Sequence, residues 1–76
     1  MATVQQHYFD VLMHRVRNDK YPSGQLMDRI ELALATPDQV AEYTDMLIDK
    51  VDETWYPSGQ MLDRIQTMME RTARGR

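Results

Sequence analysis

The 76-residue chain contains no cysteine, so disulfide bonds cannot stabilise it. A domain of this size buries only about 60% of the surface that its unfolded chain exposes. Small chains without disulfides commonly depend on a metal ion or on a partner subunit. The absence of cysteine also suits the reducing cytoplasm, where we expect the protein to reside.

Long apolar runs are also missing. No stretch approaches the roughly 20 residues that a helix needs to cross a bilayer. The first six residues lack the basic cluster and apolar segment of a signal peptide. We therefore expect a soluble protein that makes no membrane contact.

Positive charge is scarce, because nine Lys and Arg stand against 12 Asp and Glu, for a net charge of −3. Nucleic-acid-binding proteins usually carry a basic patch. The only all-basic stretch includes Arg71, Arg74 and Arg76 at the C-terminal end. We interpret residues 72–76 as a frayed tail.

The strongest pattern present is an internal repeat with a period of 35 residues. Residues 6–36 align with residues 41–71 without a gap, and 12 of the 31 pairs are identical. Such a period indicates stacked supersecondary units. The signature of tetratricopeptide repeats is missing, and two copies are fewer than a solenoid needs, so we assign no repeat family.

Apolar periodicity divides each copy into two helices. Prolines break the chain in the middle of each copy, where Ser23 and Ser58 are predicted N-caps. Thr36 is the predicted N-cap of the third helix and starts a capping box. The predicted helices cover residues 4–19, 24–35, 37–53 and 59–71. We predict an all-α, compact four-helix unit within a single domain (1–76), made of two pseudo-symmetric helix–turn–helix repeats (4–36 and 37–71).

Each predicted helix has one apolar stripe that we expect to be buried. Because the copies match, we expect Tyr8 and Tyr43 to lie in similar environments. The four stripes are Val4, Tyr8, Val11, Leu12 and Val16; Leu26, Met27, Ile30, Ala33 and Leu34; Val40, Tyr43, Leu47, Ile48 and Val51; and Met61, Leu62, Ile65, Met68 and Met69.

The apolar content exceeds what so small a core needs. Seven methionines are present, and methionine is common on surfaces that adapt to a partner. Phe9 and Trp55 lie near the stripe edges. We expect an interface, most simply that of a homodimer; the alternative is a loosely packed monomeric core. Five methionines cannot all be buried in so small a core: Met13, Met46, Met61, Met68 and Met69.

Two charged pairs recur at the repeat period. Asp10 and Asp45 have no basic residue four positions later, so a pair within one helix does not explain them. We predict that they meet Arg29 and Arg64 across helices, either inside a repeat or across a subunit boundary. Alternatively, they are surface residues without a role.

The Tyr-Pro-Ser-Gly-Gln block occurs twice, beginning at Tyr21 and Tyr56. It is interpreted as a corner between helices, and alternatively as a recognition surface. A glycine at the start of a helix costs conformational entropy. A close approach by another helix or a ligand would explain Gly24 and Gly59.

The acids are unevenly distributed between the copies. Residues 6–35 have no net charge, whereas residues 41–70 have a net charge of −5. Most of the excess lies on the third helix. Such a run usually forms a solvated face; alternatively, it faces a basic partner.

Residues that could support catalysis or bind a metal are few. No serine lies in a nucleophile elbow. His7 and His14 are separated by about 10.5 Å along a helix, which is too far for one ion. The sequence thus predicts no enzyme activity, no metal and no cofactor.

The sequence favours a small protein–protein interaction module, an adaptor, regulator or assembly component that associates with itself. A larger partner protein is a second expected partner. The alternative is a nucleic-acid-binding protein of the helix-turn-helix type. The second helix of each copy offers few side chains that could read bases, which disfavours that alternative.

Overall fold

The fold consists of α-helices, as the sequence predicts. The computed structural model describes residues 3–20, 22–53 and 59–74. Within those residues there is no β-strand, and no helix combines the length and apolarity needed to span a membrane. The helices are α1 (Val4–Asn18), α2 (Gly24–Ala33), α3 (Pro37–Glu53) and α4 (Gly59–Arg74).

Hydroxyl side chains determine where the first three helices begin. The side-chain oxygen of Thr3 accepts a hydrogen bond of 3.0 Å from a backbone N–H at the start of α1. Ser23 accepts one of 3.1 Å from Leu26 in α2, and Thr36 accepts one of 3.1 Å from Gln39 in α3. Each bond satisfies a backbone donor that has no partner within its helix. The cap at Thr3 was not predicted, and Ser58 lies outside the described residues.

The helix ends differ slightly from the prediction. Helix α2 ends at Ala33, two residues early, because Leu34 adopts an extended backbone conformation. Helix α4 continues to Arg74, so the prediction of a frayed end from residue 72 is wrong for residues 72–74. Ala and Arg are good helix formers, and no residue before Gly75 interrupts the helix. The Thr72 hydroxyl donates a 3.0 Å hydrogen bond to the Met68 carbonyl within this last turn.

The chain divides into two compact units, Met1–Ala35 and Thr36–Arg76. In the first unit α1 contacts α2, and in the second α3 contacts α4. The side-chain amide of Gln5 in α1 donates a hydrogen bond to the carbonyl of Ala33. This bond satisfies one of the carbonyls that the end of α2 leaves without a helical partner.

In the first unit, α1 buries a different face from the predicted one. Phe9 and Met13 are buried, together with the predicted Leu12 and Val16. The predicted burial of Val4, Tyr8 and Val11 is wrong, because all three are exposed. A buried Phe has no polar atom that needs a partner, whereas the hydroxyl of an exposed Tyr remains in water.

In the second unit, α3 buries Val40, Tyr43, Met46 and Leu47, and also the polar Gln39. Position 44, which matches Phe9, is a threonine, so Tyr43 supplies the large buried ring. The predicted burial of three other residues is wrong, because they are exposed: Ile48, Leu62 and Met69.

The buried faces of α1 and α3 therefore differ although their sequences match. Among the matched pairs of residues, only Leu12 in α1 and Leu47 in α3 are both buried. Each residue of an α-helix is rotated by about 100° around the axis from the residue before it. When the two copies are aligned, the buried residues of α3 are therefore centred about a quarter turn away from those of α1. The expectation that matched apolar residues turn inward in both copies is wrong.

The methionines divide between the core and the surface, as the size of the core predicts. Met13, Met46 and Met68 are buried, whereas Met69 is exposed. Methionine is flexible and fills irregular gaps in a core. The three buried methionines therefore cannot contribute to an exposed interface.

Candidate functional site

An open groove runs between α3 and α4 in the second unit. It has a volume of about 590 Å³. The hydroxyls of Thr44 and Thr72 donate to carbonyls of their own helices, at 2.7 and 3.0 Å, so neither needs a ligand or water for that donor. Among the described lining residues, Asp45 alone is charged. The α3–α4 groove is lined by Ala41, Thr44, Asp45, Met69, Thr72 and Ala73.

A second open depression continues from this groove along α4. Its volume is about 570 Å³, and it shares Met69 and Ala73 with the groove. Met69 is 58% exposed and Leu62 is 48% exposed. The remaining lining residues are Ile65, Gln66 and Glu70. We call the groove and this depression together the α4 face; it is mainly apolar and open to solvent.

An acidic stripe follows α3 beside the groove. The intervals between its residues alternate between four and three, which places them on one side of a helix. All five are exposed, and no hydrogen bond or ion pair joins their carboxylates to other described residues. The stripe consists of Asp38, Glu42, Asp45, Asp49 and Asp52.

The matched positions at the start of the chain lack this negative charge. Thirty-five residues earlier, they hold a threonine, one acid, two histidines and an arginine, all exposed, and the acid and the arginine cancel: Thr3, His7, Asp10, His14 and Arg17. The last turn of α1 is basic, with Arg15 and Arg17, whereas only Lys50 is basic in the last turn of α3. The two copies thus present different charges at equivalent positions.

Exposed apolar side chains form a further stripe along α1. Val4, Tyr8 and Val11 are spaced as neighbours on one side of the helix, and Arg15 continues the same line. This side is separate from the buried face of the helix, which contains Phe9. The stripe is apolar over its first turns and ends on a cation.

The structure does not bring the predicted Asp–Arg pairs together. Asp10 accepts a 2.8 Å hydrogen bond from the side-chain amide of Gln6, four residues earlier on α1. No ion pair joins it to the exposed Arg29, and none joins Asp45 to Arg64 among the described residues. The Gln6–Asp10 spacing is a known stabilising pair, and it could have been found from the sequence. Pairing across a subunit boundary remains a prediction.

Only part of each Tyr-Pro-Ser-Gly-Gln block lies within the residues that the structure describes. Tyr21, Trp55, Tyr56 and Ser58 lie outside the described residues. Gly59 is described, and a Cβ atom added there would have no heavy atom of the described residues within 4 Å. No described helix therefore approaches Gly59 closely, and approach by a ligand stays a prediction.

The described side chains include no cluster of three or more His, Asp or Glu residues that could hold a metal ion. Comparisons of the chain with models of protein families, with curated proteins and with solved structures found no match. A functional proposal therefore depends on the surfaces described above.

Proposed function

We propose that the chain is a small protein–protein interaction module that associates with itself through the α4 face. The observation that carries this proposal is the exposure of Leu62 and Met69 on one side of α4, next to an apolar groove. Contiguous apolar surface exposed on a small protein typically marks a site of association.

The energetics of so short a chain support the proposal. With no disulfide, its stability depends on a small core. Covering Leu62 and Met69 would add stabilisation of about 25 cal/mol for each Å² of apolar surface removed from water. Association therefore stabilises the folded chain by mass action.

The openness of the α4 face favours docking over catalysis. Catalytic sites generally exclude water and surround their substrate. Here the groove and the depression are both open to solvent and are lined by apolar side chains with few charges. Because folding requires no oxidation of thiols, we place this module in the cytoplasm.

Light scattering on the purified chain, coupled to size exclusion, tests the proposal. We expect a mass above the 9.0 kDa of one chain. Met69→Glu would place a carboxylate on the apolar face, and we expect it to weaken association because burying an unpaired charge is costly. Circular dichroism would verify that the variant remains helical.

Leu32→Glu is the matched control. Leu32 is 88% exposed on α2, outside the α4 face, so the same type of substitution should leave association unchanged. A wild-type chain that remains monomeric up to about 1 mM, where even a weak interface of about −4 kcal/mol would be half occupied, would refute the proposal.

A further inference from the structure

We infer that the α4 face receives helix α1 of a second copy of this chain. The inference rests on the proposed function and names the surface that the second copy contributes. Two properties of α1 fit the α4 face: the exposed apolar stripe of Val4, Tyr8 and Val11, and the cationic last turn with Arg15. A helix with an apolar stripe docking in an apolar groove is a common mode of recognition.

Charge complementarity favours α1 of a second copy as the helix that binds to the α4 face. The groove is bordered on the α3 side by the acidic stripe, whose five carboxylates have no partners among the described residues. An identical α4 face of a second copy would bring its own acidic stripe with it, and like charges across an interface are unfavourable. Helix α1 instead supplies Arg15, so it avoids this repulsion and gains attraction.

The spacing of the residues gives Arg15 an acidic partner in either direction along α3. Arg15 follows Tyr8 by seven residues, or about 10.5 Å along the helix, and Asp52 follows Asp45 by the same distance. With α1 parallel to α3, Tyr8 would lie over the groove at Asp45, and Arg15 would reach Asp52. In the antiparallel direction Arg15 would approach Asp38 instead.

Reciprocal docking gives a closed assembly. Each chain has one α1 and one α4 face, so two chains can exchange both contacts about a two-fold axis. We therefore expect a homodimer with a mass of twice 9.0 kDa. The dimer contains two equivalent contacts, and each joins α1 of one chain to the α4 face of the other.

Complementation between two variants tests this arrangement. Tyr8→Glu blocks the α1 stripe, and Met69→Glu blocks the α4 face; we expect each variant alone to raise the Kd of the dimer on the order of 100-fold or more. A mixture of the two retains one intact contact, between α1 of the Met69→Glu chain and the α4 face of the Tyr8→Glu chain. We expect this mixture to form heterodimers, measured by sedimentation with one chain labelled by a fluorophore.

Charge exchange tests the direction. We expect Arg15→Glu to raise the Kd roughly 5–10-fold, because exposed ion pairs contribute little and the reversal adds repulsion. Adding Asp52→Lys to the same chain should restore association if α1 runs parallel to α3, and adding Asp38→Lys should restore it if the two helices are antiparallel. Rescue by either variant also excludes an effect of misfolding, since a misfolded chain would not be repaired by a second surface change. Rescue by neither variant would refute the contact between Arg15 and the acidic stripe.

The outcomes separate this inference from the proposed function. If Met69→Glu abolishes association while Tyr8→Glu and Arg15→Glu leave it unchanged, the α4 face associates with a surface other than α1. The inference is then wrong and the proposed function remains. If the wild-type chain is monomeric, both are wrong.

Discussion

Tyr8 and Tyr43 occupy equivalent positions of the 35-residue repeat, yet the first is 47% exposed and the second is 0% exposed. The residue after each explains the difference. Phe9 follows Tyr8 and is buried, whereas Thr44 follows Tyr43 and uses its hydroxyl to bond the carbonyl of Val40. In α1 the apolar ring of Phe9 occupies the core. In α3 no phenylalanine is present at the matched position, and the ring of Tyr43 occupies the core instead.

The two tyrosines should therefore respond differently to the same change. We expect Tyr43→Ala to lower the free energy of unfolding by about 3–5 kcal/mol, as is usual when a large buried ring is removed. Tyr8→Ala should lower it by no more than about 0.5–1 kcal/mol. Urea unfolding measures both, at a protein concentration low enough to keep the chain monomeric.

A loss of that size can unfold so small a protein, so Tyr43→Leu serves as a milder variant. It keeps much of the apolar volume and should remain folded with an intermediate loss of stability. Equal losses for Tyr8→Ala and Tyr43→Ala would contradict the difference in burial.

The N-cap of α2 offers a second test. Ser23→Ala removes the oxygen that accepts the hydrogen bond from Leu26, and we expect a loss of about 1 kcal/mol. Ser23→Asp retains an acceptor and adds a negative charge near the positive end of the helix dipole, so its stability should match or exceed that of the wild type. In thermal melts only Ser23→Ala should lower the melting temperature; a decrease of similar size for both variants would argue against capping.

The start of α4 contains space for a side chain. A Cβ at Gly59 would meet no heavy atom of the described residues within 4 Å, and no described glycine has a positive φ. Gly59→Ala should therefore raise the free energy of unfolding by up to about 1 kcal/mol, because alanine loses less conformational entropy in a helix. Gln60→Ala, a change at the adjacent exposed residue, is the control for general helix propensity. Destabilisation by Gly59→Ala would point to a contact at this corner.

The partner of Asp10 can be identified by double-mutant cycles. We expect the Gln6–Asp10 pair to show a coupling energy of about 0.2–0.5 kcal/mol, as for similar pairs on exposed helices. For Asp10 and Arg29, which do not contact each other in the chain, the effects should add to within about 0.3–0.5 kcal/mol. Strong coupling between Asp10 and Arg29 that appears only at concentrations where dimers form would instead support pairing across a subunit boundary.

Local signals in the sequence are sufficient to predict the helices and their starts. The hydroxyl residues and prolines act within one turn, so Ser23 and Thr36 can be assigned without knowledge of the packing. The N-cap at Thr3 uses the same signal, a hydroxyl before an apolar stripe, and could have been found in the same way. The ends of helices are harder to predict from the sequence than their starts, because few side chains define them. Helix α2, which ends two residues before its predicted end, is an example.

The buried face of α1 could not be chosen from periodicity alone. Tyr8 and Phe9 are adjacent, and each belongs to a series of apolar residues with helical spacing that includes Leu12. The repeat favoured Tyr8 because Tyr43 matches it, whereas packing selects Phe9. The α3–α4 groove is harder still to predict, because it depends on how two helices pack rather than on the pattern of either one.

The quarter-turn difference between α1 and α3 means that the two halves of the chain are not interchangeable parts. A chimaera with two first halves would place Phe9 and Met13 where the second half holds a threonine and an exposed isoleucine, so its second core would differ from the natural one. Each half of the chain therefore has its own buried face and its own exposed face. A substitution that suits the interior of one half need not suit the matched position of the other.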